Sequence, residues 1–168
     1  MIFVSKTVQY SVVSALIEKG LTLASAESCT GGLIGKRITE VPGCSSAYLG
    51  GVIAYDNSVK IKMLGVSEDT LLKYGAVSEE TALEMCRGAA QALGANIGVS
   101  TTGIAGPGGG SDEKPVGLVY IGVYFKDKQI HKAVKLNLAR HTYKDERGMI
   151  RYAASSNALY EVLKLIRN

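Results

Sequence analysis

The 168-residue sequence has little of what marks a metal-dependent, secreted or membrane-embedded protein. Its three cysteines are odd in number and lack CxxC spacing, and no secretory signal is expected, so a disulfide framework is not predicted. With only His131 and His141 and no HExxH pattern, a zinc site lacks support. No apolar segment is long enough to span a membrane. These absences predict a cytoplasmic protein that works without a metal or another cofactor.

The charge of the chain is also modest, at a formal +4 at pH 7. The basic residues form no long run interleaved with aromatic residues, which is the pattern typical of nucleic-acid binding. A mildly basic surface can attract an anionic small molecule, although an ordinary solvated surface is the simpler explanation. We therefore expect neither nucleic acid nor a membrane as a partner.

Glycine and apolar residues, by contrast, are abundant. The 20 glycines exceed the share of roughly 7% typical of soluble proteins, and they cluster in loops between apolar runs. Hydrophobic residues make up 46% of the chain, whose length permits a core without disulfides or metal. No linker divides the sequence, so a single domain over residues 1–168 is expected.

Apolar residues alternate between helical and strand-like spacing along the chain. Helices are predicted over 7–19, up to residue 38, over 59–64, from 67, over 78–93 and over 144–166. Strands are predicted over 21–26, 47–55, 96–101, 116–125 and 129–138, the last two forming a hairpin. This order predicts an α/β fold, a three-layer α/β/α sandwich with a mixed, mostly parallel sheet.

A hydroxyl and a thiol lie side by side where the first strand turns into a helix, in Ala26-Glu27-Ser28-Cys29-Thr30-Gly31-Gly32. A serine there could attack a substrate while amides of the helix N-terminus hold the developing oxyanion. A bound phosphate could use the same amides. A helix cap followed by packing glycines explains the pattern equally well.

A serine nucleophile needs a proton acceptor. Neither histidine lies in a glycine-rich or strand-end segment, so a Ser-His-Asp triad has little support. Lysine can replace histidine when burial lowers its pKa. Lys60 follows the strand end marked by Tyr55, and both would meet Ser28 if the first two strands are neighbours. From spacing alone, a surface lysine and a solvated tyrosine hydroxyl remain the favoured explanations.

Two further segments offer groups for substrate binding. Thr101, Thr102 and the amides of the glycine-rich segment 103–110 could bind substrate oxygens, although the segment matches neither GxGxxG nor the P-loop pattern. A flexible surface loop is the ordinary explanation for such a composition. Arg147 and Arg151 are four residues apart on the last helix, so they can point together toward an anionic group or remain solvated.

Four motifs in this order resemble the CinA C-terminal domain family: AESCTGG at 26–32, YxNxxK at 55–60, GAVSEET at 75–81 and TGIAGPGGGSDEKPVGLVY at 102–120. Members resemble PncC-type nicotinamide-nucleotide amidase, an amidohydrolase that converts nicotinamide mononucleotide to nicotinate mononucleotide and ammonia. The resemblance implies Ser28 as the nucleophile, Lys60 as the general base and Tyr55 as their hydrogen-bonding partner. It also implies a role in pyridine nucleotide metabolism and a homodimer.

The resemblance extends to the substrate-binding residues. Thr102 and the glycines that follow it, including Gly103 and Gly106, are expected to line the site. Amides after Ser28 are expected to hold the oxyanion. The predicted donors are Cys29, Thr30 and Gly31, and Gly32 is expected to form part of the same environment. Arg147 is expected to bind the substrate phosphate. The segment 138–147 departs from the family's shorter F-x-G-x-R-like approach to the last helix.

Two other functions remain open at this point. The chain could be a nucleotide-binding or regulatory CinA-like module with little or no amidase activity. It could also be a cysteine-dependent enzyme that uses Cys29, because a helix N-terminus lowers the pKa of a thiol. The family also occurs fused to another domain, and this chain is expected to be a stand-alone version.

Overall fold

The computed structural model describes residues 2–139 and 145–168. Its elements are α1 (Val8–Lys19), β1 (Leu23–Glu27), α2 (Leu33–Thr39), β2 (Tyr48–Ile53), α3 (Asn57–Leu64), α4 (Glu68–Tyr74), α5 (Glu79–Leu93), β3 (Ile97–Gly103), β4 (Leu118–Phe125), β5 (Ile130–Asn137) and α6 (Glu146–Arg167). A short 3-10 turn, Cys44–Ser46, precedes β2. The predicted elements are confirmed. His141 and the predicted start of the last helix at residue 144 lie outside the described residues.

In the described part of the chain, five strands form one sheet in the order β2-β1-β3-β4-β5. Strand β1 pairs in parallel with both β2 and β3, whereas β4 is antiparallel to both β3 and β5. Four of the five strands therefore run in one direction. This confirms the mixed, mostly parallel sheet and the hairpin of the last two strands.

Helices cover both faces of the sheet. Helices α1, α2 and α6 bury the larger apolar cluster against one face, with Leu16, Ile121 and Leu159 among its members. Helix α5, with α3 and α4 beside it, covers the other face over a smaller cluster that includes Ala24 and Met85. This arrangement confirms the predicted three-layer sandwich. No helix within the described residues is both long and apolar enough to cross a membrane.

Helix α5 lies close to the sheet because glycines stand beneath it. A Cβ atom at Gly98 would lie 1.9 Å from the carbonyl oxygen of Cys86, and one at Gly122 would lie 2.3 Å from that of Ala82. Neither distance is compatible with a side chain. The two glycines thus allow the helix to approach the sheet, and the Ser100 hydroxyl donates to the Ala82 carbonyl at 2.6 Å.

The carboxyl ends of the three parallel strands meet at one edge of the sheet. Glu27, the last residue of β1, lies opposite Ile53 of β2 and Thr101 of β3. The first two strands are therefore neighbours. As in other open α/β sheets, the chain segments that leave these strand ends border a common cleft.

Candidate active site

A cavity of about 210 Å³ lies at these strand ends. Seven of the residues predicted for the site line it: Ser28, Cys29, Tyr55, Lys60, Thr102, Gly103 and Arg147. Four others do not: Thr30, Gly31, Gly32 and Gly106. Four larger clefts of the described structure, of about 340 to 550 Å³, contain no buried lysine. The cavity at the strand ends is therefore the candidate active site.

Ser28 directly follows β1 and is 9% exposed. Its amide donates to the Thr101 carbonyl oxygen at 2.9 Å, and its own carbonyl oxygen accepts from the Gly31 amide at 3.1 Å. Among the described residues, its hydroxyl has no hydrogen-bond partner. The backbone of Ser28 is thus fixed by two strands and a turn, while its hydroxyl is free to meet a ligand.

Lys60 lies in the first turn of α3 and is only 1% exposed. Its Nζ donates to the carbonyl oxygens of Ala54 at 2.9 Å and Tyr55 at 3.1 Å. Lys60 forms no salt bridge with any residue that the structure describes. Burial lowers the pKa of Lys60 below the ordinary lysine value, and the nearby Asp56 carboxylate opposes this shift. The surface-lysine explanation is therefore wrong.

The two hydrogen bonds of Lys60 suit a proton acceptor. A neutral amine has two N–H groups and one lone pair. When both N–H groups bind the carbonyl oxygens at the end of β2, the lone pair remains available to a proton. Lys60 and Ser28 line the same cavity, so the arrangement supports proton transfer between their side chains once a substrate is bound.

Tyr55 approaches Lys60 through its backbone and not through its phenol. The residue is 62% exposed, and its hydroxyl accepts from Nη2 of Arg147 at 3.2 Å. Its carbonyl oxygen is the atom that binds Lys60. The expectation that the Tyr55 hydroxyl bonds to Ser28 or Lys60 is corrected accordingly, because Tyr55 follows the end of β2 and its side chain is exposed and turned to Arg147.

A carboxylate of the chain itself occupies the N-terminus of α2. Glu27 is 2% exposed, and its oxygens accept from the amides of Gly32 (3.0 Å), Ile34 (2.9 Å) and Gly35 (2.8 Å) and from the Thr30 hydroxyl (2.7 Å). These amides are the ones that an N-terminal anion site would use. The phosphate-cradle explanation of the motif therefore fails.

Two amides beside Ser28 keep no acceptor among the described residues, those of Cys29 and Thr30. The Gly31 amide donates to the Ser28 carbonyl oxygen, and that of Gly32 donates to Glu27. The predicted donor role of Gly31 is thus corrected, as is the placement of Gly32 in the oxyanion environment. Their φ angles of 60° and 93° instead allow the tight turn before α2.

The thiol of Cys29 faces a different environment from the one its position in the sequence predicts. Burial raises the pKa of Cys29 to about 12, and the charge of Glu27 acts in the same direction. Local hydrogen bonds and the charge of Arg151 act in the opposite direction, but burial outweighs them. A thiol with this pKa is protonated at neutral pH, so the cysteine-dependent alternative has no thiolate.

The glycine-rich segment contributes mainly its first residues. Strand β3 continues through Thr102 and Gly103, which the sequence placed in a loop. Thr102 is buried, and its hydroxyl donates to the Ala76 carbonyl oxygen at 2.6 Å. Gly106 lies outside the cavity, and its carbonyl oxygen accepts from Nη1 of Arg147 at 2.6 Å. Gly106 therefore positions an arginine rather than lining the site, which corrects the expectation.

The two arginines of α6 serve different places. Arg147 lines the cavity and binds the neutral oxygen atoms of Gly106 and Tyr55. Arg151 donates from Nη2 and Nε to the Thr30 carbonyl oxygen at 2.8 and 3.3 Å. Of the two alternatives left open for this pair, a shared anionic group is not supported, because Arg151 braces the turn that carries Ser28. Of these two arginines, Arg147 is the one that lines the cavity and is placed to meet an anion there.

Sequence reasoning assigned no role to several residues of the site. Asn57, Ala76 and Val77 also line the cavity, together with Ala105 of the predicted segment 103–110. Asn57 is exposed at the first position of α3, and its side-chain amide has no partner in the described structure. The signals were present, since Asn57 and Glu27 both lie inside the quoted motifs. The described residues contain no group of three or more His, Cys, Asp or Glu placed to hold a metal ion.

Residues 5–166 match the family model described as the CinA C-terminal domain. The chain belongs to this family. A protein of Halothermothrix orenii that is named as competence-damage inducible is 52% identical over 152 residues, covering 90% of this chain and 35% of that protein. A CinA-like protein of Kosmotoga olearia is 51% identical over 138 residues, covering 82% and 34%. The chain thus spans about a third of the length of these curated relatives.

Solved structures share the whole fold of the family. The competence/damage inducible protein CihA from Agrobacterium tumefaciens is 39% identical and superposes with a TM-score of 0.88, covering 97% of this chain and 95% of that one. A CinA superfamily protein from Escherichia coli is 29% identical, with a TM-score of 0.86 and coverage of 95% and 91%.

Proposed function

We propose that the chain hydrolyses the carboxamide of nicotinamide mononucleotide to nicotinate mononucleotide and ammonia, with Ser28 as nucleophile and Lys60 as base. One observation carries this proposal: a free serine hydroxyl and a buried lysine without an ion-pair partner line the same cavity. Two unused amides lie in the turn beside the serine. The substrate follows from the resemblance of the motifs to those of nicotinamide-nucleotide amidases.

In the proposed acylation step, the Ser28 hydroxyl attacks the carboxamide carbon and transfers its proton to Nζ of Lys60. The new C–O bond turns the carbonyl oxygen into an oxyanion, which the amides of Cys29 and Thr30 can stabilise. The proton on Lys60 then passes to the departing nitrogen, so that the C–N bond breaks and ammonia leaves. A covalent ester between Ser28 and the nicotinate carbonyl remains.

Deacylation uses the same groups, with water as the nucleophile and the Ser28 oxygen as the leaving group. Lys60, neutral again, accepts a proton from a water molecule that attacks the ester carbonyl. The C–O bond to Ser28 breaks, and Ser28 recovers its proton from Lys60. The product is the nicotinate carboxylate. The lowered pKa of Lys60 supports this cycle, because only an unprotonated amine can begin it.

Arg147 supports recognition of the nucleotide part. Its guanidinium lies at the mouth of the cavity beside the exposed Tyr55, where the phosphate of a substrate can stay partly in water. A guanidinium binds phosphate with two parallel hydrogen bonds. The proposal also keeps the cytoplasm as the setting, supported by three free cysteines, and the homodimer, which remains a prediction.

An ammonia-release assay over several pyridine nucleotides tests the proposal. Purified wild-type protein should release ammonia from nicotinamide mononucleotide, and Ser28→Ala should abolish the release. Ser11→Ala, which removes an exposed serine of α1, is the matched control and should leave the rate unchanged. No release under conditions in which a known amidase works would refute the substrate. Calorimetric binding of the nucleotide without turnover would favour the regulatory module instead.

A further inference from the structure

Glu27 is a buried carboxylate next to the nucleophile that has no step in the proposed mechanism. It is the last residue of β1, so it directly precedes Ser28. Burying a carboxylate is costly unless several donors compensate for the lost water. Glu27 meets this requirement through four bonds of 3.0 Å or shorter, three of them from backbone amides of the segment that leads into α2.

The two oxygens of the Glu27 carboxylate accept from different donors. One oxygen accepts from the Thr30 hydroxyl and from the amides of Gly32 and Ile34, and the other accepts from Gly35. Since the Thr30 hydroxyl spends its single proton on Glu27, the contact of 2.7 Å between the hydroxyls of Thr30 and Thr101 must use the proton of Thr101. The carboxylate thus orders a buried chain of donors that joins β1, the turn and β3.

We propose that Glu27 is the positioning residue of the nucleophile turn, residues 28–32: its carboxylate binds the amides at the start of α2 and leaves those of Cys29 and Thr30 as the free donors beside Ser28. The inference rests on the proposed role of Ser28 and deepens it. It also means that α2 cannot bind the substrate phosphate, because the α2 amides are occupied. The phosphate must lie on the Arg147 side of the cavity.

Glu27→Gln tests this role with a side chain of the same shape. Glutamine replaces one acceptor oxygen by an NH2 group, which is itself a donor and faces amide donors, so at least one amide loses its acceptor. We expect kcat for the nucleotide to fall about 10- to 100-fold while KM stays within about twofold, as for a displaced catalytic group. Glu40→Gln is the matched control, because Glu40 is an exposed carboxylate at the other end of α2.

A second readout does not depend on the substrate. A fluorophosphonate probe phosphonylates a reactive serine, and its rate of attachment to Ser28 can be followed by intact-protein mass spectrometry. The rate should fall in Glu27→Gln by a factor similar to that of kcat and stay unchanged in Glu40→Gln. A folded Glu27→Gln protein with wild-type kcat and a wild-type labelling rate would overturn the inference.

Amide hydrogen exchange of the wild-type protein covers the case in which Glu27→Gln does not fold. Measured by NMR, the amides of Gly32, Ile34 and Gly35 should exchange more slowly than those of Cys29 and Thr30. Equal protection of all five amides would overturn the inference. Wild-type protein that releases no ammonia would refute the proposed substrate, and Glu27 would then be judged by the labelling rates and the exchange pattern.

Discussion

The side-chain nitrogen of Lys60 lies 2.9 Å from the carbonyl oxygen of Ala54, the first residue after β2. This contact anchors a buried lysine at the end of the strand that neighbours the one carrying Ser28. It explains how a lysine can point inward without a salt bridge to any described residue, since backbone oxygens accept its N–H groups. The remaining lone pair of the neutral nitrogen is the proton acceptor in the proposed mechanism.

The first prediction concerns the attacking atom. Ser28→Ala should lower kcat/KM at least about 10³-fold, because no other nucleophile replaces the hydroxyl. Cys29→Ala should keep most of the activity, since only the backbone amide of Cys29 has a role and its thiol, with a pKa of about 12, is protonated. Ammonia release measures both. Activity that survives the first change and disappears with the second would assign the chemistry to Cys29.

The pH profile should show the base directly. Only neutral Lys60 accepts a proton, so kcat/KM should rise with pH and level off above the apparent pKa of Lys60. This pKa should lie below the ordinary lysine value of 10.5. The Lys60→Arg variant should be inactive, because a guanidinium stays protonated and cannot act as the base. A wild-type profile that is flat between pH 6 and pH 10 would remove Lys60 as the base.

Lys60 should also make stability depend on pH. Its pKa in the folded protein is lowered, so between that value and 10.5 the unfolded chain binds more protons than the folded one. The destabilisation is complete below the folded-state pKa and disappears as pH rises above 10.5. Relative to Lys60→Met, the wild-type protein should therefore gain free energy of unfolding from pH 7 to pH 10. The free energies of unfolding of both proteins can be measured in urea from pH 7 to pH 10. A constant difference between them over this range would contradict the lowered pKa.

Arg147 should distinguish nucleotides from nucleosides. Arg147→Ala should raise KM for nicotinamide mononucleotide about 10-fold or more, because a charge-assisted contact to phosphate is lost. The same change should affect nicotinamide riboside, which has no phosphate, much less. Tyr55→Phe is the matched control and should cost less than about fivefold, since its hydroxyl only contacts the exposed side of Arg147. Equal losses for both substrates would place the phosphate elsewhere.

A stability prediction concerns Arg37, which is buried between α1, α2 and α6. Its guanidinium donates to the oxygens of Ser5, Gln9, Ser155 and Ser156. Arg37→Ala removes a donor from all four oxygens and leaves those of Gln9 and Ser155 with no other donor among the described residues, so it should lower the free energy of unfolding by about 2–4 kcal/mol. Lys36→Ala breaks only an exposed pair with Glu40 and should cost less than about 0.5 kcal/mol. Similar Tm values for both variants would contradict the structural role of Arg37.

Particular residues show how far sequence reasoning reaches. The helix over Glu79–Leu93 and the hairpin of β4 and β5 follow from periodicity and turn residues, which act over a few positions. The meeting of Ser28 and Lys60 in one cavity was predictable from the order of strands and from the motifs. Thr102 and Gly103 were placed in a loop because local composition is glycine-rich, whereas pairing with β4 extends the strand through both.

Some assignments required contacts between distant segments. The Tyr55 hydroxyl was expected to bond to Ser28 or Lys60, but in the segment after β2 it accepts from Arg147, 92 residues away. Arg151 looked like a second anion ligand until the packing of α6 against the turn brought it to the Thr30 carbonyl. Neither contact has a signature in local spacing, because each depends on how two elements pack.

The sequence by itself determined the family and the α/β fold and singled out Ser28 and Lys60 as the candidate nucleophile and base, because motifs and apolar periodicity are written along the chain. Only the tertiary structure decided which amides beside Ser28 are free. That outcome depends on the Glu27 carboxylate, which folds back onto the start of α2 and satisfies the donors there. Burial likewise favours Ser28 over Cys29 as the proposed nucleophile, since it raises the pKa of the Cys29 thiol while it lowers the pKa of Lys60.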